Sequence, residues 1–105
     1  MANEFDLLIS PRATEDFESI FDYVSIELCN GTAANSLVDE FQKALERVCF
    51  MPESCPRVNN EYINDKNLRK LLVNNYIIFY KINEENQSVE VIRVLYGMMN
   101  FKDIL

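Results

Sequence analysis

The chain has 105 residues, 49% of them hydrophobic, with seven Phe, five Tyr, no Trp and a formal net charge of −7. That length suits one modest core and a single domain over residues 1–105, and two Gly and three Pro leave no room for a flexible linker or low-complexity tail. The charge excludes a protein that holds nucleic acid by bulk electrostatics, and the absence of His excludes both a Cys/His zinc site and the usual general base near neutral pH.

Cys29, Cys49 and Cys55 include no CxxC pair and are expected to be free thiols, with no metal or cofactor implied. The segment from Met1 to Asp6 offers neither the basic start nor the apolar stretch of a secretory signal, so a cytoplasmic protein is expected. The longest unbroken hydrophobic run, Tyr76 to Tyr80, is far short of the roughly 20 residues that a membrane span requires. Charge is distributed unevenly. Residues 1–30 carry seven acids against Arg12 alone, residues 31–65 six acids against three bases, and residues 66–105 six bases against four acids. A basic surface can collect only in the last third.

In chain order, Phe5, Leu7 and Ile9 share one face of a short strand at period two. Ser10-Pro11 marks a helix start, since Ser is a favoured N-cap and Pro at the first helical position forfeits no hydrogen bond. Ala13, Phe17, Ile20, Phe21, Val24 and Leu28 then recur at helical spacing over about 17 residues, with Glu15, Glu18 and Asp22 on another face. Asn30-Gly31 is expected to end this helix in a left-handed turn, and Thr32 to cap the next one. The second helix carries Leu37, Val38, Phe41, Ala44, Leu45 and Val48 on its apolar face and stops before Pro52. So short a connection makes the two helices an antiparallel hairpin.

Met51 to Asp65 is an irregular loop on this reading. Three strands follow: Asn67 to Val73, Tyr76 to Ile82 and Ser88 to Tyr96, joined at Asn74-Asn75 and at the polar turn Glu84 to Gln87, and closed by Gly97. The middle one is apolar on both faces and suits a central position, with Tyr76 and Tyr80 in the core. The last alternates less cleanly, but Val89, Val91, Ile92, Val94 and Leu95 favour a strand. The fold class is therefore α+β, with a strand, an antiparallel helical hairpin and a three-stranded antiparallel meander. The helices pack on one face of a mainly antiparallel sheet.

Nearly the whole chain resembles the RelE/ParE superfamily of toxins from type II toxin-antitoxin systems, often labelled plasmid stabilisation proteins. The resemblance is carried by Ile9 to Ala13 leading into Asp16, Ile20 and Tyr23; by Ala33-Ala34; and by Phe50 to Arg57. It continues through Leu68 to Val73, Asn75 to Tyr80 and Val91 to Gly97. It implies a growth-inhibiting toxin, a cognate antitoxin as partner in a hetero-oligomer, and either DNA gyrase or the ribosome and its messenger RNA as target. An RNase of this superfamily uses Lys, Arg and Tyr to stabilise charge on the phosphate in flight and to move protons.

Lys70, Arg93 and Tyr96 are the catalytic candidates here. Arg69, Tyr96, Met98, Met99, Asn100 and Lys102 are the candidates for binding target or antitoxin. Departures from the pattern weaken the RNase set. Met98-Met99 stands where many relatives carry a basic pair, Ile77 follows Tyr76 where the RNA-cleaving branch usually has Arg, and Cys55 replaces a frequent Gly. A gyrase poison of the ParE type is the favoured expectation, a RelE-like ribosome-dependent endonuclease the alternative, and a weakly toxic antitoxin-binding module a third. Each candidate also has a structural role open to it. Arg69 and Lys70 can protect an exposed sheet edge, Arg93 can pair with a helix carboxylate, and Tyr96 with Gly97 can simply end a strand.

Overall fold

A helical hairpin lies against one face of a four-stranded sheet in this computed structural model, which describes residues 4–27, 29–58 and 67–97. The elements are β1 (Asp6–Ile9), α1 (Pro11–Asp22), α2 (Gly31–Phe50), β2 (Arg69–Val73), β3 (Tyr76–Asn83) and β4 (Ser88–Tyr96). The sheet order is β1-β4-β3-β2; β1 runs parallel to β4 and the other pairings are antiparallel. This is the α+β architecture read from the sequence. No helix among the described residues is long and apolar enough to cross a membrane.

Ser10 caps α1 as its type predicts, accepting the Ala13 N–H at 3.0 Å, with Pro11 in the first turn. The helical run is not uniform as far as Glu27, and Leu28 lies outside the described residues. The run widens into a π turn at Tyr23–Glu27. The Asn30-Gly31 expectation is corrected as well: Cys29 takes the left-handed conformation with φ 49°, and no glycine has positive φ. Asn30, not Thr32, is the N-cap of α2, because its Oδ1 accepts the Ala33 N–H at 3.0 Å and so satisfies a donor that the helix itself cannot. The α2 helix ends at Phe50, ahead of a 3-10 turn at Pro52–Ser54.

The central strand β3 is buried on both faces. Ile78 and Tyr80 join Leu71, Val73, Val89, Val91 and Val94 beneath the helices, and Ile77 and Phe79 join Leu68 and Leu95 on the other side. The irregular alternation of β4 has a geometric origin. Tyr80 pairs with Val91 but Phe79 pairs with Arg93, so Ile92 is an extra residue in β4. This bulge lets Val91 and Val94, three residues apart, both enter the helix-side core while Ile92 packs against the second cluster. Asn74 alone supplies positive φ (54°) in the two-residue turn between β2 and β3. The Gly97 N–H then bonds the Asn75 carbonyl at 2.7 Å, where a Cβ on Gly97 would come within 3.1 Å of that oxygen.

Because β1 stops at Ile9, no strand among the described residues lies beside the outer edge of β4 beyond Val91. Side chains of the first turns of α1 substitute for one. The Ser10 hydroxyl donates to the Ile92 carbonyl at 2.8 Å, and the Val94 N–H donates to Asp16 Oδ2 at 3.0 Å. Asp16 also receives the Arg93 guanidinium through Nε at 2.8 Å and a second nitrogen at 3.1 Å. Both side chains are largely removed from water, 13% exposed for Arg93 and 15% for Asp16. The bidentate bond to Asp16 holds Arg93 more firmly protonated than usual, against the opposing effect of burial.

At the far edge, the Tyr80 hydroxyl donates to the Pro52 carbonyl at 2.7 Å and Arg69 to the Cys55 carbonyl at 2.6 Å, anchoring the loop after α2. Burial pushes the Tyr80 phenol well above its ordinary pKa, assisted by the neighbouring Cys55 thiol.

Two measurements check these anchors. Asp16→Ala should destabilise the protein by about 3 kcal/mol, because it strands both a guanidinium and a backbone N–H. Asp16→Asn should cost less by keeping one acceptor. Urea midpoints shifted equally for the two variants would contradict that division. For Tyr80, the folded state retains a proton that the unfolded chain releases near pH 10, so its contribution is intact below that pH and declines above it. Tyr80→Phe should therefore cost about 1 kcal/mol at neutral pH yet lessen the loss of stability in alkaline solution, measured by denaturation on both sides of pH 10.

Candidate functional site

The sequence candidates do not converge on one point. Lys70, Phe79 and Arg93 occupy one row across β2, β3 and β4. Two interstrand steps put the Lys70 and Arg93 backbones about 10 Å apart. Lys70 alternates with Leu71 along β2, and Leu71 lies beneath the helices, so Lys70 is on the opposite face. Arg93 is committed to Asp16. Tyr96 pairs with Tyr76, which packs on the helix-side core, and the two rings meet edge-to-face at 5.7 Å. Lys70 and Tyr96 therefore serve opposite faces of the sheet. Arg69 is held by the Cys55 carbonyl. Met98, Met99, Asn100 and Lys102 lie outside the described residues.

Tyr96 instead belongs to an aromatic hollow of about 600 Å³ walled by Ser19, Ile20, Tyr23, Asn75, Tyr76 and Tyr96. Tyr23 comes from the start of the π turn and is 55% exposed; Tyr96 is 43% exposed. Burial raises the pKa of the Tyr76 phenol, and the nearby Tyr96 and Tyr23 add to the effect. Three phenols thus share one concavity. Helical spacing places Ser19 and Tyr23 on one side of α1 and its π extension. Their meeting with the end of β4 depends on tertiary contact and has no local signature.

A second concavity, about 430 Å³, opens between β1 and the helical hairpin. Leu7 and Ile9 form its floor, Phe17 and Phe21 one wall, Val38 and Leu45 the other. Ile20 lines both concavities. Rings also connect them: Phe17 meets Phe41 at 5.1 Å, and Phe41 meets Tyr76 at 5.9 Å.

Among the described residues no group of three His, Cys, Asp or Glu side chains could hold a metal ion. General acid-base chemistry on a phosphate requires donors and cations around one reacting atom. The described candidates show no such convergence.

The sequence matches the family model described as the ParE toxin of the type II toxin-antitoxin system parDE over residues 7–101. Among curated proteins, none matches the sequence. Similar solved structures include the chromosomal ParDE toxin-antitoxin system from P. aeruginosa, with 11% identity, TM-score 0.69, and coverage of 90% of this chain and 97% of that one. The RelBE2 toxin-antitoxin complex from Mycobacterium tuberculosis is similar at 15% identity and TM-score 0.60, covering 89% of this chain and 98% of that one. A mutant of the E. coli toxin RelE in the free state is similar at 16% identity and TM-score 0.62, covering 96% and 92%. At these identities the structural likenesses establish the fold alone. The family match spans most of the chain, which belongs to the ParE toxin family of type II toxin-antitoxin systems.

Proposed function

We propose that this protein is a growth-inhibiting toxin that acts by binding and poisoning DNA gyrase, and that a cognate antitoxin neutralises it in a cytoplasmic hetero-oligomer. The observation that carries this reading is the dispersal, among the described residues, of the cations an RNase would need. Arg93 is clamped by Asp16, Arg69 is bound to a backbone carbonyl, and Lys70 and Tyr96 address opposite faces of the sheet. A gyrase poison needs a surface for a protein target. The exposed rings of Tyr23 and Tyr96 around an open hollow are suited to that, since aromatic side chains make large contacts at low entropic cost. The solved P. aeruginosa and M. tuberculosis systems are described as toxin-antitoxin assemblies, which supports an antitoxin here as well.

The purified protein should inhibit supercoiling by gyrase and accumulate cleaved DNA-gyrase complexes. Tyr96→Ala should raise the concentration for half-inhibition by about tenfold or more, whereas Lys70→Ala should change it by no more than about twofold. Unaffected gyrase, together with cuts in translated messages that disappear in Lys70→Ala, would overturn the reading in favour of the ribosome.

A further inference from the structure

The trough beside β1 is lined mostly by aliphatic and Phe side chains, whereas the hollow at the end of β4 is walled by three tyrosines. Tyr76 and Tyr96 meet at 71°, so these two walls stand nearly at right angles, and Phe41 of the core packs on Tyr76 at 5.9 Å. Tyr23 arrives from the π turn as the third. The phenols are near enough together for that of Tyr76 to feel both of the others. An aromatic ring carries negative charge on its face, so several rings around one space attract a cation without a carboxylate among them.

The charge around the hollow has the same sign. Among the described residues no Lys or Arg lines it, which leaves an anion without a counter-charge there. Between Arg12 and Lys43 the sequence has seven acids and no base. Exposed Asp22 directly precedes Tyr23, and Glu40 of α2 accepts a bond from the side chain of Asn74, the chain neighbour of Asn75 in the wall. Arg93, the base that precedes Tyr96 in β4, is already neutralised by Asp16. The surrounding carboxylates therefore add a negative field from outside the lining.

That no carboxylate lines the hollow among the described residues decides between cations. A Lys ammonium is a compact, strongly hydrated point charge that gives up water reluctantly, whereas a guanidinium is planar, delocalised, weakly hydrated and stacks on rings. The polar groups of the lining, the Ser19 hydroxyl, the Asn75 amide and the phenols, are neutral acceptors suited to the in-plane N–H groups of a guanidinium whose faces the rings cover. The hollow is open and about 600 Å³, enough to admit a side chain carried by another protein.

We propose that the tyrosine hollow is a cation–π cage for an arginine side chain presented by the toxin's protein target. This rests on the gyrase reading and deepens it by naming the residue type that the target inserts beside Tyr23, Tyr76 and Tyr96.

The test titrates the full-length protein, its tyrosine rings isotopically labelled for NMR, with the blocked amides of arginine, lysine and citrulline, the last being the neutral isostere of arginine. The arginine amide should shift the ring signals of Tyr23, Tyr76 and Tyr96 saturably and bind at least about fivefold more tightly than either of the others. Tyr23→Leu and Tyr96→Leu, both at exposed positions, keep apolar area but remove a ring, and each should weaken the arginine amide by about fivefold. Tyr96→Phe should recover most of the loss seen in Tyr96→Leu, since the ring and not the hydroxyl carries the attraction. Citrulline or lysine bound as tightly as arginine, or Leu variants that bind as well as the parent, overturns the proposal. In supercoiling assays the same order should hold, with Tyr96→Leu about tenfold weaker as a gyrase inhibitor and Tyr96→Phe recovering most of that loss. A protein that poisons gyrase although its hollow does not select arginine sinks the cage alone. One that selects arginine through its rings but leaves gyrase untouched sinks the gyrase reading alone.

Discussion

Beyond Ile9 the β4 edge would present bare backbone groups to a helix, a position where an unpaired N–H costs about 1–3 kcal/mol. Ser10 and Asp16 remove that penalty from a single short element, α1 with its cap. Because the two residues lie six apart at the helix start, their bonds to Ile92 and Val94 fix both the rotation and the axial position of α1 on the sheet. That placement turns Phe17 and Ile20 toward α2 and brings Ser19 and Tyr23 to the end of β4. It also absorbs the charge of Arg93. Both concavities therefore depend on one carboxylate that touches neither Tyr96 nor the trough.

The bulge at Ile92 has a comparable reach. With strict alternation Val91 and Val94 would lie on opposite faces, and one would leave the helix-side core. The extra residue shifts the parity after Val91, so that Val94 enters that core and Leu95 joins Ile77 and Phe79 on the other side. The same shift brings Tyr96 to the helix side, against Tyr76. Lys70, fixed by the uninterrupted pairing of β2 with β3, remains on the far face. A single inserted residue separates side chains that a linear reading of the sequence groups together.

What the sequence disclosed follows from locality. The 3.6-residue spacing of α2, the stop before Pro52 and the Ser10-Pro11 start are decided within a few residues, and each was legible. So was β3 as a central strand, since Tyr76 to Tyr80 leaves no polar face for solvent. The turn between the helices is not decided locally, because Asn30 can serve either as a left-handed C-terminal residue or as an N-cap, and only the position of α2 decides between them. A buried Arg93 calls for a carboxylate partner, and the helices offer several; that Asp16 is the one depends on a contact between residues 77 positions apart. The tyrosine hollow escaped for the same reason: Tyr23, Tyr76 and Tyr96 belong to three different elements.

The charge pattern connects these features to recognition. The acids are concentrated in residues 1–65, those of α1 and α2 on the helical hairpin, whereas Arg69 and Arg93 in the more basic last third are engaged internally. Such a surface is poorly matched to a phosphate backbone and better matched to protein partners. The trough beside β1 and the tyrosine hollow meet at Ile20, which lines both. A shift of α1 on the sheet would therefore move a wall of each at once.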